Sequence, residues 1–234
     1  MPESLQYRDL PVQIRRSSHR RTVDLTVDRA GEIVMSVPED LPTTQLRKIL
    51  KDKETWLYQT LNKKQKVLFH KQAREFISGE GFYFLGKKYR LKVVKTNIDQ
   101  GNTLILKDGR FIMPKSLCEQ GKNTFVDWYT AQTSLWLKEH LPELSKRVGI
   151  FPKACRVTSL GYRWASCGKD GVLYINWRTI LLPPQRVKYI VLHELVHLLE
   201  HSHGPRFYDI LQRVAYDYKR HDLWLKNNGD KYDV

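Results

Sequence analysis

The chain has 234 residues, of which 41% are hydrophobic, enough to bury a core and to exclude a disordered chain. Lys and Arg number 40 against 25 Asp and Glu, which gives a formal charge of +15. This charge suits an anionic partner such as nucleic acid, a nucleotide or an acidic peptide, but it is also common in soluble proteins that bind no anion. We expect a cytoplasmic protein, because the sequence shows no secretory signal, no run of ~18 apolar residues and no CxxC spacing among Cys118, Cys155 and Cys167.

The N-terminal part is predicted to contain two sets of strands separated by a helix. Apolar residues alternate over 12–38, and the break at 29–32 separates two period-2 runs, which indicates a β-hairpin. From Thr43 to about Val67 the apolar spacing becomes helical. Residues 79–113 combine glycines with short β-rich runs and predict another antiparallel set.

The C-terminal part is predicted to alternate helices with a pair of strands. A long helical stretch covers about 123–147, and Pro142 predicts a kink or a division into two helices. Two strands are expected within 155–178. Helices follow over about 185–201 and about 206–225.

The segment containing His193, Glu194 and His197 follows the HExxH pattern. Residues four apart on a helix share one face, so His193 and His197 can direct their imidazoles at one ion. Glu194 then lies beside the ion, where its carboxylate can accept a proton from a metal-activated water. The surrounding residues are strongly apolar and predict a buried helix, in which these polar groups are costly unless a metal compensates them. We therefore expect one Zn²⁺ per chain.

The third metal ligand must come from outside the HExxH motif. His201 continues the same helical face, but eight residues of helix advance about 12 Å, too far for metal–nitrogen bonds of about 2 Å. His203 precedes Gly204-Pro205, where the chain can turn back toward the metal, and is the favoured ligand. Asp217 is a weaker, acidic alternative.

Several short motifs of the C-terminal part occur together in one order. They are Arg163–Cys167, Ile175–Arg178, His193–His197, Ser202–Gly204 and Phe207–Tyr208. In this combination the chain resembles the YgjP-like predicted metal-dependent hydrolases of the zincin group and, more distantly, SprT-like proteases. The resemblance covers nearly the whole length and implies that His203 is the third zinc ligand. It departs at Ala165, where the family usually has Gly, and at Gly204, where Ser is frequent.

The predicted elements and the resemblance together indicate an α+β fold with two regions. Residues 1–115 form a β-rich N-terminal region with one helix. Residues 116–234 form a zincin-like metal-binding catalytic region, built from a helix, a β-hairpin, the HExxH helix and a C-terminal helix.

Candidate substrate-binding residues flank the predicted metal site. In zincins a strand beside the active-site helix commonly holds an extended peptide by backbone hydrogen bonds, and the hairpin 156–178 is the candidate here. Arg163 and Arg178 either steer an anionic substrate or pair with nearby carboxylates, and both alternatives remain open. Arg206 and Tyr208 are the nearest candidates in sequence for stabilising an oxyanion.

The predicted site residues are compatible with three functions. The leading hypothesis is a zinc metallopeptidase with Glu194 as general base. The second is a metal-dependent hydrolase of nucleotides, acting on a phosphoanhydride, which the positive charge favours. The third is a basic nucleic-acid-binding protein with a structural zinc, which Glu194 disfavours because structural sites normally have four protein ligands. A peptide or small anionic substrate, weak nucleic-acid binding and no membrane association are expected, and the oligomeric state stays open.

Overall fold

The computed structural model describes residues 3–27, 32–69, 74–95, 102–161 and 163–234. The chain divides into two compact units, Met1–Gln72 and Ala73–Val234. Both units contain helices and sheets, so the fold is mixed α+β, as predicted. Among the described residues, no helix is both long and apolar enough to cross a membrane.

The first unit contains a four-stranded sheet and two helices. The strand order is β1-β2-β4-β3. The predicted hairpin is confirmed for β3 and β4, which pair antiparallel, although 29–31 of its turn lie outside the described residues. The sequence did not predict β1 or the parallel pairing of β2 with β4. The elements are β1 (Glu3–Tyr7), β2 (Leu10–Ser17), β3 (Asp24–Val27), β4 (Ile33–Pro38), α1 (Thr43–Asp52) and α2 (Glu54–Phe69).

The helical part of the first unit differs from the single predicted helix. Lys53 separates α1 from α2, because its φ of −101° and ψ of 7° lie outside helical geometry. The prediction of one helix is therefore wrong at this residue. The sheet and the helices share one apolar core, to which Val12, Met35, Leu46 and Leu57 contribute fully buried side chains.

The second unit begins with a sheet followed by a long helix. The sheet has the order β5-β6-β8-β7, and its central strands β6 and β8 are parallel, so the prediction of a purely antiparallel set is wrong. The helix α3 continues through Pro142 as a single element and ends before Gly149, whose φ of 84° is left-handed. The elements are β5 (Gly81–Phe84), β6 (Lys87–Val94), β7 (Ile105–Lys107), β8 (Arg110–Pro114) and α3 (Gly121–Val148).

A small sheet and three helices complete the second unit. The central strand β11 pairs antiparallel with β10 and parallel with β9, so three strands replace the two predicted. The last predicted helix is divided into α5 and α6 at Ala215, whose φ of −149° and ψ of 75° are not helical. The elements are β9 (Ala154–Thr158), β10 (Ala165–Cys167), β11 (Val172–Asn176), α4 (Pro184–His197), α5 (Pro205–Val214) and α6 (Tyr218–Asn228).

An aromatic cluster joins the sheet β5–β8 to α3. The ring of Phe82 in β5 stacks on the ring of Phe125 in α3, with centroids 3.9 Å apart and an interplanar angle of 13°. Phe111 in β8 meets Phe125 edge to face at 5.1 Å. Because this packing crosses residue 115, the structure divides the chain between Gln72 and Ala73 rather than at the predicted boundary.

The tight turn between β5 and β6 contacts the segment that leads into α4. The backbone N–H groups of Leu85 and Gly86 donate to the carbonyl oxygens of Ile180 and Leu181, at 2.8 and 3.0 Å. Gly86 has a φ of +79°, and a Cβ placed there would lie 2.8 Å from Cα of Pro183. This close approach requires glycine and fixes the position at which α4 begins.

Candidate metal centre

The helix α4 carries the HExxH motif on a largely buried surface. Pro184 occupies its first turn, where a missing N–H costs nothing and a fixed φ favours the helix. Val191 and Leu195 are fully buried, and α4 packs against α3, α5 and β10. The helix ends at His197, so His201 does not lie on it, contrary to the predicted end near 201.

Three histidines meet at the C-terminal end of α4. His193 and His197 project from its last turns, and His203 comes from the loop that precedes α5. One ring nitrogen of each lies within 4.8 Å of the corresponding nitrogens of the other two. The Nε2 atoms of His193 and His203 are 3.1 Å apart. A tetrahedron with metal–nitrogen bonds of about 2.05 Å has edges of about 3.3 Å, which the separation of the His193 and His203 nitrogens nearly matches.

The second ring nitrogens of the two helical histidines have partners of their own. Nδ1 of His197 lies 3.1 Å from the carbonyl oxygen of Glu200, to which it can donate a proton. Nδ1 of His193 lies 3.5 Å from the hydroxyl oxygen of Tyr189. These contacts favour the tautomers whose Nε2 lone pairs are available to a metal.

The surroundings of His193 and His197 favour the neutral imidazole, the form that a metal ligand requires. Burial, together with the repulsion that positive charge on His197 and His203 would exert, lowers the pKa of His193 to about 3. Burial also lowers the pKa of His197. The two helical histidines therefore have the charge state, and the three-histidine cluster has the ligand type, that suit a divalent metal such as zinc.

A single phenylalanine contacts all three histidine rings. Phe207 in α5 is fully buried, and its ring centroid lies 5.0 Å from that of His193, 4.5 Å from that of His197 and 4.7 Å from that of His203. It forms an apolar floor that restricts the rotation of the rings and excludes water from one side of the site. The sequence contained Phe207 within a motif but gave it no role.

Glu194 is buried beside the histidine cluster. Its side chain faces β10, whose Cys167 contributes a backbone N–H to the carboxylate. Burial raises the pKa of Glu194 to about 7, while the charge of Arg163 and the N–H of Cys167 act in the opposite direction. Burial likewise raises the pKa of the Cys167 thiol to about 11, which disfavours a thiolate at neutral pH.

The structure places the two predicted arginines differently. Arg163 is exposed, donates weakly to Ser166 at 3.4 Å, and is close enough to Glu194 to influence its pKa. Arg178 donates from Nε to Asp233 at 2.7 Å, in an ion pair whose side chains are only 18% and 14% exposed. Of the two alternatives predicted for these arginines, pairing with a nearby carboxylate therefore applies to Arg178. The positive charge of Arg163 instead acts on Glu194 in the candidate site.

Of the other residues that the sequence proposed for the site, one lies beside the histidine cluster and the others do not belong to it. Tyr208 lies beside the cluster, with its ring centroid 6.3 Å from that of His203. Arg206 is exposed at the start of α5, where its charge acts on Glu200. Neither His201 nor Asp217 belongs to the three-histidine group found among the described residues, and Asp217 instead accepts a hydrogen bond from His221 at 3.1 Å.

Sequence reasoning missed the pair that supports His193. Tyr189 donates its hydroxyl proton to Asp222 in α6 at 2.6 Å, which leaves a lone pair of the hydroxyl oxygen facing His193. Tyr189 precedes His193 by one helical turn, a spacing that the sequence could have revealed. Asp222 lies in a different helix and has no comparable local signal.

Comparisons with known proteins give one solved structure of low similarity. It is described as the crystal structure of the metallopeptidase zymogen of Pyrococcus abyssi abylysin, with 20% sequence identity and a TM-score of 0.36. The match covers 39% of this chain and 93% of that chain, and at this TM-score it supports no conclusion. No curated protein matches the chain significantly.

A family model gives a much broader match. The model described as YgjP-like, metallopeptidase domain, matches residues 21–228. Together with three clustered histidines and an adjacent buried carboxylate, this match defines the protein as a metal-dependent hydrolase. Because the match covers most of the 234 residues, the chain belongs to the YgjP-like metallopeptidases. A peptide substrate and a divalent metal are what this family implies.

Proposed function

We propose that the protein is a zincin-like, zinc-dependent metallopeptidase, in which His193, His197 and His203 hold one zinc ion and Glu194 is the general base. The observation that carries the proposal is the burial of Glu194 immediately beside a cluster of three histidines. Structural zinc sites normally have four protein ligands, whereas the cluster among the described residues has three. The combination of three ligands and an adjacent base supports catalysis over a structural role.

The residues of the site divide the chemistry between binding and proton transfer. When bound, zinc supplies Lewis acidity, which lowers the pKa of water toward about 7 and polarises a carbonyl group. The three histidines would supply the ring nitrogens that hold the ion. Glu194 accepts a proton from the attacking water and transfers it to the amine nitrogen of the leaving peptide fragment. Phe207 excludes water from below the histidine rings.

The strand β10 is the proposed binding edge for an extended peptide. It is an outer strand of its sheet, and its Cys167 N–H contacts Glu194, so a peptide paired with this strand would pass beside the base. Arg163 adds a positive charge at the same place and would favour acidic substrates. We assign Tyr208, beside His203, to stabilise the oxyanion, with Arg206 as the second candidate.

The experiment compares zinc-loaded wild-type protein with Glu194→Gln on a peptide library and on a panel of nucleoside triphosphates. Glu194→Gln retains the shape of the side chain but removes the base, so zinc content should stay at about one per chain while peptide turnover falls about 10²–10⁴-fold. Glu143→Gln, an exposed substitution of the same chemistry in α3, should retain full turnover.

Two outcomes would contradict the proposal. Peptide turnover at the wild-type rate by zinc-loaded Glu194→Gln would exclude Glu194 as the base. Hydrolysis of a triphosphate without cleavage of any peptide, abolished by Glu194→Gln, would establish the same catalytic centre with a phosphoanhydride as its substrate.

A further inference from the structure

A basic cavity lies beside the first half of α4, N-terminal to the histidine cluster. Its volume is about 390 Å³, and its walls come from α4, α5, α6, the segment between α5 and α6, and the end of α3. This volume is within the range of about 300–1,000 Å³ that is typical of small-molecule sites. None of the three histidines lines it, so the cavity is distinct from the metal centre.

The cavity has a strong excess of positive charge. The basic side chains in its wall are Arg147, Arg186, Lys188 and Arg220, and Asp217 is the acidic side chain there. The single negative charge of Asp217, which accepts a hydrogen bond from His221, does not balance the positive charges of the four basic side chains. A dianionic ligand would neutralise much of the remaining charge, whereas a monoanion would leave more of it uncompensated.

Arg186 is the buried, positively charged residue in the wall of this cavity. The residue is only 9% exposed, and its guanidinium lies over the ring of Trp224, 4.9 Å from the centroid. Within the described residues its guanidinium has one hydrogen-bond partner, Nδ1 of His221, and no ion pair with a carboxylate. A guanidinium carries five N–H donors, so most of them remain available.

The contacts of His221 show that it does not neutralise Arg186. Nε2 of His221 donates to Asp217, and Nδ1 accepts from Arg186, which requires a neutral imidazole. Burial lowers the pKa of His221, in agreement with the neutral form. Burial and the charge of Arg220 also lower the pKa of Arg186, against the weaker opposing effect of Asp217. Arg186 is therefore a buried cation that an anion in the cavity would stabilise.

We propose that this cavity binds a phosphate group, either inorganic phosphate or the phosphate of a small monoester, through the guanidiniums of Arg186 and Arg220. Phosphate monoesters carry a charge of about −1.5 to −2 at pH 7 and accept paired N–H···O bonds from arginine. Arg147 and Lys188 add charge at the wall. The exposed ring of Tyr216, which also lines the cavity, offers an apolar contact to the organic part of a monoester.

The test measures binding of inorganic phosphate, phenyl phosphate and acetate to the full-length protein by calorimetry. Saturable binding of phosphate is expected, with acetate much weaker because it has a single charge. Arg186→Gln should weaken phosphate binding at least about tenfold, since it removes hydrogen bonds from a charged donor to the anion. Arg220→Ala should also weaken it and, being exposed, should leave the fold intact. Arg213→Ala, exposed on α5 and outside the cavity wall, is the matched control.

Phenyl phosphate distinguishes the two sources of the phosphate group. Tighter binding of phenyl phosphate than of inorganic phosphate, lost in Tyr216→Ala, would assign the cavity to a monoester. Equal affinities would assign it to inorganic phosphate. Acetate binding as tightly as phosphate, or phosphate binding that is unchanged by both Arg186→Gln and Arg220→Ala, would overturn the proposal.

His203→Ala separates this proposal from the proposed metal centre, because phosphate can also bind to zinc. That variant should lose metal but retain the phosphate affinity of the cavity. If His203→Ala abolishes phosphate binding while the arginine variants retain it, the anion binds at the metal and the cavity proposal fails. In that outcome the proposed peptidase function is unaffected.

Discussion

The substitution Tyr189→Phe tests how the fold prepares His193 for a metal. It removes one hydroxyl group, which donates to Asp222 at 2.6 Å and lies 3.5 Å from Nδ1 of His193. The ring should keep its place, since it is buried and stacks on His221 with centroids 4.8 Å apart and an interplanar angle of 7°. The variant therefore isolates the hydrogen-bonding role from the packing role.

The expected loss of zinc affinity is at the low end of the usual range. Removing a partner of a metal-bound histidine typically costs about 10–100-fold in metal affinity. Because the contact between Tyr189 and His193 is at the outer limit of hydrogen-bond length, we expect about tenfold, which corresponds to about 1.4 kcal/mol. The assay is a zinc titration in competition with a chromophoric chelator, at a pH where the histidines of the unmutated protein are neutral.

Tyr208→Phe provides the matched control. It removes the same atom from a ring near His203, but Tyr208 is 38% exposed and no hydrogen bond of its hydroxyl to a ligand is found among the described residues. Zinc affinity should therefore stay at the wild-type level, while turnover falls if Tyr208 stabilises the oxyanion. Equal zinc affinities for Tyr189→Phe and the wild type would refute the orienting role of Tyr189.

Three further predictions concern the ligands and the fold around them. Elemental analysis should show that His203→Ala loses most of the bound zinc, whereas His201→Ala retains about one zinc per chain. The opposite result would make His201 the third ligand in place of His203. Phe207→Ala should lower the free energy of unfolding by about 3–5 kcal/mol in chemical denaturation, because it empties a fully buried site, and a loss below about 1 kcal/mol would contradict its role as the floor. Gly86→Ala should destabilise more than Gly109→Ala, since both have positive φ but only Gly86 approaches another backbone atom, and equal losses of stability would show that Pro183 can move away.

The parts of the site that the sequence predicted depend on local spacing. His193 and His197 are four residues apart in one helix, so their shared face follows from helical geometry alone. His203 follows from the turn residues Gly204-Pro205, which end the loop and begin α5. The proximity of all three was predicted for these reasons, while the metal itself remains a proposal.

The parts that the sequence did not predict depend on contacts between distant residues. The parallel pairings of β2 with β4 and of β6 with β8 require crossovers, and the apolar pattern of a strand does not specify its partner. The stacking of Phe82 on Phe125 connects residues 43 positions apart and moves the division between units away from residue 115. Neither Lys53 nor Ala215 is a Gly or Pro, so the breaks between helices there carry no sequence signal.

The helix α6 contributes to both the metal centre and the basic cavity. Its Asp222 accepts the proton of Tyr189, while its His221 accepts from Arg186 and stacks on the same Tyr189 ring. Tyr189 thus contacts His193 and also lines the cavity. If phosphate in the cavity changes zinc affinity by some factor, zinc must change phosphate affinity by the same factor. These contacts predict that Tyr189→Phe, which removes the hydroxyl that contacts both Asp222 and His193, reduces any such coupling even where each ligand still binds.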